Sequence, residues 1–195
     1  MPVITTNVIQ GPADLYVATF GAAEPAETAA ALAAAPSTPW RAVGGTTDGV
    51  NLNIAQEYSK LRVDQIAENI GARKTSRIFT VETNMAEGTL ENLALALNED
   101  ETDAISTGTG TRAFEPGDSN PAAIPHYRAL LIDGWGPEES AGPVRRRFIV
   151  RKVLSTEGAE FAYQTEDQTV MAVTFEGFFV SQSIKPFRIL DADPA

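Results

Sequence analysis

The chain has 195 residues, of which 43% are apolar, and it contains no cysteine, so disulfides and thiolate metal sites are excluded. It carries 15 basic and 26 acidic residues, for a formal net charge of −11. This balance disfavours ordinary duplex-DNA binding, which requires Lys and Arg to neutralise phosphates. No segment approaches the roughly 20 apolar residues of a membrane helix, and the N-terminus lacks the features of a signal peptide, so we expect a soluble protein.

The first strand is predicted over residues 13–20, which are rich in β-branched and aromatic side chains. Residues 27–35 have high helix propensity and are followed by Pro36, which stops a helix. Because Leu32 is their only large apolar side chain, a short peripheral helix and an ordered loop are equally compatible with this segment.

A long β-hairpin excursion is predicted over residues 48–83. Apolar and polar residues alternate from Val50 to Ile54, which is the pattern of a half-buried strand. From Leu61 onward, the apolar residues lie on the opposite face of the predicted strand. Because a one-residue slip reverses the two faces of a strand, we expect a bulge or bend near residues 57–59.

One amphipathic helix is predicted over residues 86–98, where apolar side chains recur at i, i+3, i+4 and i+7. A helix of this length is marginal alone, so its apolar stripe must pack on a sheet. The residues of this core stripe are Leu90, Leu93, Ala94 and Leu97. Residues 99–123 are polar and rich in glycine, and we expect a long surface loop that contacts partners.

The last third of the chain is predicted to be β again, with strands at residues 124–133, 144–154, 168–180 and 185–190. A protein this acidic is expected to pair surface arginines with carboxylates of a neighbouring subunit. The candidate inter-subunit basic face, on the second of these strands, consists of Arg145, Arg147 and Arg151. The whole pattern predicts a single domain over residues 1–195. Its fold class is mainly β with one flanking α-helix: a β-sandwich or barrel with a long hairpin and terminal arms, the C-terminal arm at 184–195.

No residue pattern singles out a catalytic site. His126 is the only histidine, and without cysteine or a GxSxG elbow a surface or interface histidine on a strand is favoured. Residues 108–113 match GxGxxA, but a phosphate-binding loop needs a strand before it and a helix after it, and neither is predicted there. The sequence therefore predicts a protein that is not an enzyme and has no metal or cofactor.

Four segments together resemble a known family. They are Trp40 to Val50 (WRAVGGTTDGV), Val63 to Gln65 (VDQ), Thr83 to Leu97 (TNMAEGTLENLALAL) and Val170 to Asp191 (VMAVTFEGFFVSQSIKPFRILD). In their order and spacing, these segments resemble the major tail protein (tail tube protein) of bacteriophages with long, non-contractile tails. The resemblance covers most of the chain.

The resemblance implies a structural subunit that forms hexameric rings. Part of each sheet would continue around a lumen, the rings would stack into a tube, and genomic DNA would pass through without specific binding. Other implied partners are the tape measure, tail terminator and tail tip proteins, in a virion tail assembled in the host cytoplasm without a membrane. The excursion would carry the contact between rings, at Leu61, Arg62, Val63, Asp64, Gln65 and Ile66.

The acidic charge balance fits such a conduit. Each phosphate–cation contact strengthens DNA binding through counterion release, so a basic lining would retain the genome. An acidic lining repels DNA over about 8 Å, the Debye length at physiological salt. The candidate lumen-facing residues, all on the excursion and its base, are Glu57, Asp64, Glu68 and Glu82.

Three alternatives stay open. Another ring-forming virion protein, such as a contractile-tail tube protein, a tail terminator or a connector, would follow the same logic. A carbohydrate-binding β-sandwich needs exposed aromatic residues on a sheet face, whereas Trp40 and Trp135 lie beside predicted turns. A hydrolase needs only two suitably placed carboxylates among the 26 acidic residues, and no motif marks such a pair.

Overall fold

The computed structural model describes residues 4–117, 124–139, 142–160 and 168–192. Within these ranges the helices are a 3₁₀ turn (Thr5–Asn7), α1 (Ala29–Ala33), α2 (Leu90–Ala96) and α3 (Glu101–Ala104). The strands are β1 (Asp14–Thr19), β2 (Arg41–Ala42), β3 (Thr46–Val63), β4 (Ile66–Met85), β5 (Ile105–Gly108), β6 (Thr111–Phe114), β7 (Arg128–Glu139), β8 (Gly142–Ser155), β9 (Met171–Gly177) and β10 (Phe187–Asp191). None of the helices in the described ranges is long and apolar enough to cross a membrane.

Eight of these strands form one antiparallel sheet in the order β2-β1-β7-β8-β9-β4-β3, with β10 added beside β8. Strand β8 has both β10 and β9 as neighbours because β10 pairs with residues 146–150 and β9 with residues 153–155. Strands β5 and β6 form a separate two-stranded sheet. The predicted mainly β fold with a flanking helix is confirmed.

The main core joins the two halves of the large sheet. Fully buried members come from β1, β7 and β8, from β4 and β9, and from α2: Leu15, Leu130, Val150, Val81, Phe175 and Leu95. Burying an apolar side chain of this size contributes about 1.5–3 kcal/mol. The curved sheet thus encloses its own core in the manner of a β-sandwich, and α2 packs against that core.

A second apolar cluster lies on the opposite face of β1, β7 and β8. Because Ile149 and Val150 are adjacent in sequence and both only 1% exposed, β8 is buried on both of its faces. The segment that contains α1 lies on this side: Leu32 is buried, and Trp40 Nε1 donates a hydrogen bond to the carbonyl of Ala23 (2.9 Å). A short helix thus forms in the segment for which the sequence left helix and loop open.

Helix α2 is shorter than the prediction over residues 86–98. The hydroxyl of Thr89 caps its start by accepting a hydrogen bond from the backbone N–H of Asn92 (3.2 Å). Its last helical residue is Ala96, and Asn98 follows with a φ of 59°, a left-handed conformation that commonly ends helices.

The buried face of α2 also differs from the predicted stripe. Ala94 is buried as predicted, but Leu97 is 39% exposed because the helix has ended before it. Leu90 and Leu93 are only half-buried, whereas Asn92 and Leu95 are fully buried. Asn92 is accommodated because its side-chain nitrogen donates to the carbonyls of Val43 (2.8 Å) and Glu87 (2.9 Å), and its oxygen accepts from Arg41 (3.0 Å).

One further segment differs from the prediction. Residues 99–117 form α3 and the β5–β6 hairpin rather than a loop, and residues 118–123 of the predicted loop lie outside the described residues. Within the predicted C-terminal arm at 184–195, the strand predicted at 185–190 is present as β10, which pairs with β8 of the same chain. Residues 193–195 of that arm lie outside the described residues.

Candidate functional site

The candidate functional site is the distal part of the β3–β4 hairpin, residues 56–77, here named the ribbon. Strand β4 pairs with β9 only through residues 80–85, so beyond them β3 and β4 pair only with each other. The register of the ribbon runs from the pair Gln56–Arg77 to the pair Val63–Ile66. At about 3.3 Å per residue, the ribbon projects about 25 Å beyond the sheet.

The ribbon contacts the rest of the chain at its inner end, where residues 74–77 line a cavity shared with residues 177–179, 186 and 187, and the Arg77 guanidinium lies 5.9 Å from the centre of the Phe187 ring. Its outer part is exposed. Every residue from 55 to 70 is exposed, although Phe79, Val81 and Met85 of the same hairpin are at most 3% exposed. A two-stranded ribbon is at best marginally stable in water, and exposed apolar side chains in a group mark an interaction surface. Those of the ribbon are Tyr58 (55% exposed), Leu61 (48%), Val63 (38%), Ile66 (49%) and Ile70 (54%).

A β-bulge interrupts the ribbon at the position that the sequence predicts. Glu57 pairs with Ser76 and Tyr58 pairs with Lys74, so the register shifts between them. The unpaired extra residue is Thr75, on β4 rather than on β3. Because a bulge bends a strand and increases its twist, it changes the direction in which the outer part of the ribbon projects.

The predicted inter-ring residues lie together at the tip of the ribbon. Val63 and Ile66 are partners across the hairpin, and the register shifts between Leu61 and Val63. Asp64 and Gln65 form the turn. The Nε of Arg62 donates a hydrogen bond to the side-chain oxygen of Asn69 (2.8 Å). The tip therefore presents a small apolar patch beside polar and charged groups.

The charge of the ribbon is opposite to that of the remaining chain. Of the 15 basic and 26 acidic residues, five basic and three acidic residues lie in the ribbon, which leaves 10 and 23 elsewhere. The ribbon is therefore cationic, and the rest of the chain is strongly anionic. The five cations are Lys60, Arg62, Arg73, Lys74 and Arg77.

The outward face of the sheet at the base of the hairpin is polar and lacks cations. Two rows of partners cross β3, β4 and β9 on this face, Asn51–Glu82–Thr174 and Asn53–Thr80–Glu176. The side chain of Asn51 donates a hydrogen bond to Glu82 (3.2 Å). No Lys or Arg occurs in residues 46–55, 78–85 or 171–177. Here we name this surface the polar sheet face.

A third charged region follows β4 at the end remote from the tip. Residues 87–115, here named the acidic end, contain seven acidic residues and one basic residue. The Arg112 side chain hydrogen-bonds to Glu91 and lowers the pKa of that carboxyl. Hydrogen bonds from the side chain and the backbone of Thr102 lower the pKa of Asp100. Both carboxyl groups therefore stay ionised at pH values below the pKa of an ordinary carboxyl group.

A comparison with models of protein families identifies the family of this chain. The model described as "Phage tail tube protein" matches residues 5–194, nearly the whole chain. The chain belongs to the phage tail tube protein family. In a separate comparison with curated proteins, no sequence matches it. The resemblance carried by the four sequence segments is thus confirmed, and the chain is a structural component of a phage tail.

The four acidic residues predicted to face a lumen do not share one surface of this tail tube protein. Glu82 lies on the polar sheet face. Glu57, Asp64 and Glu68 lie on the ribbon, where five cations outnumber them. The side chain of Glu57 also accepts a hydrogen bond from Ser76 (2.9 Å) across the hairpin.

The predicted inter-subunit basic face is wrong at Arg147. Its side chain is only 1% exposed, and its guanidinium donates to Asp133 (2.6 Å) and to the carbonyl of Ala34 (3.1 Å) in the same chain. Arg151 pairs with Glu24, also in the same chain, and the Arg145 guanidinium lies 4.3 Å from the centre of the Trp135 ring. Arg147 is buried because β8 is covered on both of its faces. The alternation of residues along β8 therefore does not identify a solvent-exposed face.

Neither the GxGxxA match nor His126 lies in the ribbon of this tail tube protein. Gly108 ends β5 and Thr111 begins β6, so the GxGxxA match forms a hairpin turn with Gly110 at a φ of 77°. His126 is exposed just before β7, with its Nδ1 3.3 Å from Asp100. Among the described residues, no group of three His, Cys, Asp or Glu side chains is placed to hold a metal ion.

Proposed function

We propose that this protein is the repeating subunit of a tail tube, in which rings of the chain stack around a lumen that conducts genomic DNA during ejection. One observation carries the proposal. This member of the family has a packed body and a projecting ribbon, and the apolar side chains at the tip of the ribbon are exposed in the described part of the chain. Assembly in the host cytoplasm, and contacts with tape measure, terminator and tip proteins, belong to the same proposal.

Ring closure is supported by the edges of the sheet. Strand β3 lies at one edge and the two-residue strand β2 at the other, so each edge offers unpaired backbone groups. A contact between two different edges is heterologous, and it generates a closed ring when the rotation between neighbours closes. Six subunits per ring is the number that the resemblance to the family implies.

Ring stacking is the role that we assign to the ribbon. Its length, about 25 Å, is greater than a hairpin needs to reverse the chain direction. Its exposed apolar residues can become buried only against another molecule. The bulge at Thr75 bends β4 within the ribbon and so changes the direction in which the tip projects. The tip residues 61–66 then reach the adjacent ring.

The polar sheet face is our candidate for the lumen lining. It carries Glu82 and Glu176 without a single cation, so DNA would meet carboxylates and amides but no phosphate-binding group. The ribbon fits this role less well, because five cations would line the path. Of the four original lumen candidates, we therefore favour Glu82 and assign Glu57, Asp64 and Glu68 to the stacking element.

The conduit role is tested by reversing charge on the polar sheet face. We expect virions with Glu82→Lys and Glu176→Lys to assemble and then release DNA more slowly at low salt, because every ring would offer cations to the phosphates. Higher salt should restore release, since it weakens counterion-driven binding. The measurement is triggered DNA release in vitro across a salt series.

The matched control is Asp14→Lys with Glu160→Lys, which reverses the same number of exposed carboxylates away from this face. Normal release at low salt by the Glu82 and Glu176 variant would show that this face does not line the DNA path. Electron microscopy of the assemblies separates a long tube from the single ring of a terminator or connector.

A further inference from the structure

The two ends of the β3–β4 hairpin have opposite charge. The ribbon has five basic and three acidic residues, and the acidic end has seven acidic residues and one basic residue. The ribbon ends at Arg77 and the acidic end begins at Glu87, so nine residues, about 30 Å of extended chain, separate them. The acidic end stays at the base because Ala86 N–H donates to the carbonyl of Gly45 (2.9 Å), just before β3 begins.

The acidic end keeps free carboxylates after its internal ion pairs are formed. Glu91 pairs with Arg112, and Glu101 pairs with Arg41 (3.0 Å). Asp103 and Glu115 are exposed and form no ion pair with the described residues. They lie close together, because the backbone N–H of Glu115 donates to the carbonyl of Ala104 (2.9 Å).

The ribbon of a subunit cannot reach the acidic end of the same subunit. The continuous strand pairing of β3 with β4 holds the two at opposite ends of one hairpin. Their charges are therefore complementary between copies and not within one copy. Opposite ends that meet form a heterologous, head-to-tail contact, which repeats without limit along an axis.

We propose that the cationic ribbon of one subunit docks against the acidic end of a subunit in the adjacent ring. This proposal rests on the ring-stacking role proposed above and adds the receiving surface and its chemistry. Burial of the apolar tip supplies affinity, while charge complementarity selects the partner surface and speeds association. Two tips or two acidic ends repel each other, so all rings of one tube point in the same direction.

The test uses charge reversal at both ends in the full chain. The ribbon variant carries Lys60→Glu and Arg73→Glu, two exposed residues for which no hydrogen bond or ion pair occurs among the described residues. The acidic-end variant carries Asp103→Lys and Glu115→Lys. The swapped variant carries all four substitutions and keeps the wild-type net charge. The control Asp14→Lys with Glu160→Lys shifts the net charge by +4, as the acidic-end variant does, but away from both ends.

Ring stacking is measured by sedimentation and electron microscopy, in low salt and in about 0.5 M NaCl. Each single-end variant should form rings that stack at least about tenfold less than wild type in low salt, because like charges then face each other. The swapped variant should regain stacking, and the control should stack normally. Wild-type stacking should weaken as salt screens the contact.

Normal stacking by the ribbon variant in low salt would overturn the proposal, and so would a swapped variant that stays unstacked. The proposed tube function fails in a different way. In that case wild-type protein forms neither rings nor tubes, with or without a tail tip complex to initiate assembly.

Discussion

The two halves of the β3–β4 hairpin differ in what stabilises them. Toward the base, Phe79, Val81 and Met85 point into the main core and are at most 3% exposed. Beyond Ile78, itself 42% exposed, the same two strands continue into the ribbon, in which every residue from 56 to 70 is exposed. One continuous pair of strands is thus part of a folded body at one end and an unpartnered surface at the other. Substitutions in the body should change subunit stability, whereas substitutions in the ribbon should change assembly.

The largest effect on stability is expected at the buried ion pair of the body. Asp133→Ala would leave the Arg147 guanidinium buried without its carboxylate, and breaking such a pair from one side costs about 3–5 kcal/mol. The matched control is Asp191→Ala, which removes the exposed partner of Arg146 and should cost at most about 1 kcal/mol. Urea denaturation of the unassembled subunit measures both. Equal costs would show that the buried pair is not a special feature of the body.

A slightly smaller effect is expected in helix α2. Leu95→Ala should destabilise the subunit by about 2–5 kcal/mol, because Leu95 is fully buried in the main core. Leu97→Ala is the control two residues away, and as an exposed change it should stay within about 0.5 kcal/mol. Thermal and urea melts of the two variants measure the difference. A larger loss at Leu97 would mean that the originally predicted stripe, and not the observed face, packs on the sheet.

Features that depend on local pattern could be read from the sequence. The alternation around Val50 predicts the hairpin, because a strand repeats every two residues. The change of face before Leu61 predicts a slip on β3, whereas the extra residue of the bulge lies on β4. The apolar periodicity predicts helix α2, although the structure buries a different face of it. The missing information was where the helix ends, since residue 97 lies beyond the last helical turn.

Features that depend on tertiary packing could not be read in this way. Arg147 looks like a surface cation in an alternating strand, and only the burial of both faces of β8 explains its pairing with Asp133. The β5–β6 hairpin has almost no apolar alternation, and its one local signal was the pair of glycines at 108 and 110 around the turn. The charge division between the ribbon and the remaining chain was present in the sequence. The sequence alone does not show that the cationic segment projects from the body, and the functional interpretation of the charge division depends on that projection.

The measurement that bears most directly on the division between body and ribbon is electron microscopy of a ribbon-shortened variant beside wild type. Residues 57–76 are replaced by an Asn-Gly turn that joins Gln56 to Arg77, which are already paired partners. We expect the melting temperature of the unassembled subunit to stay unchanged, because the replaced residues make no part of either core. Wild-type protein should form tubes, and the variant should form rings that do not stack. Tubes of normal length from the shortened chain would contradict the assigned role of the ribbon.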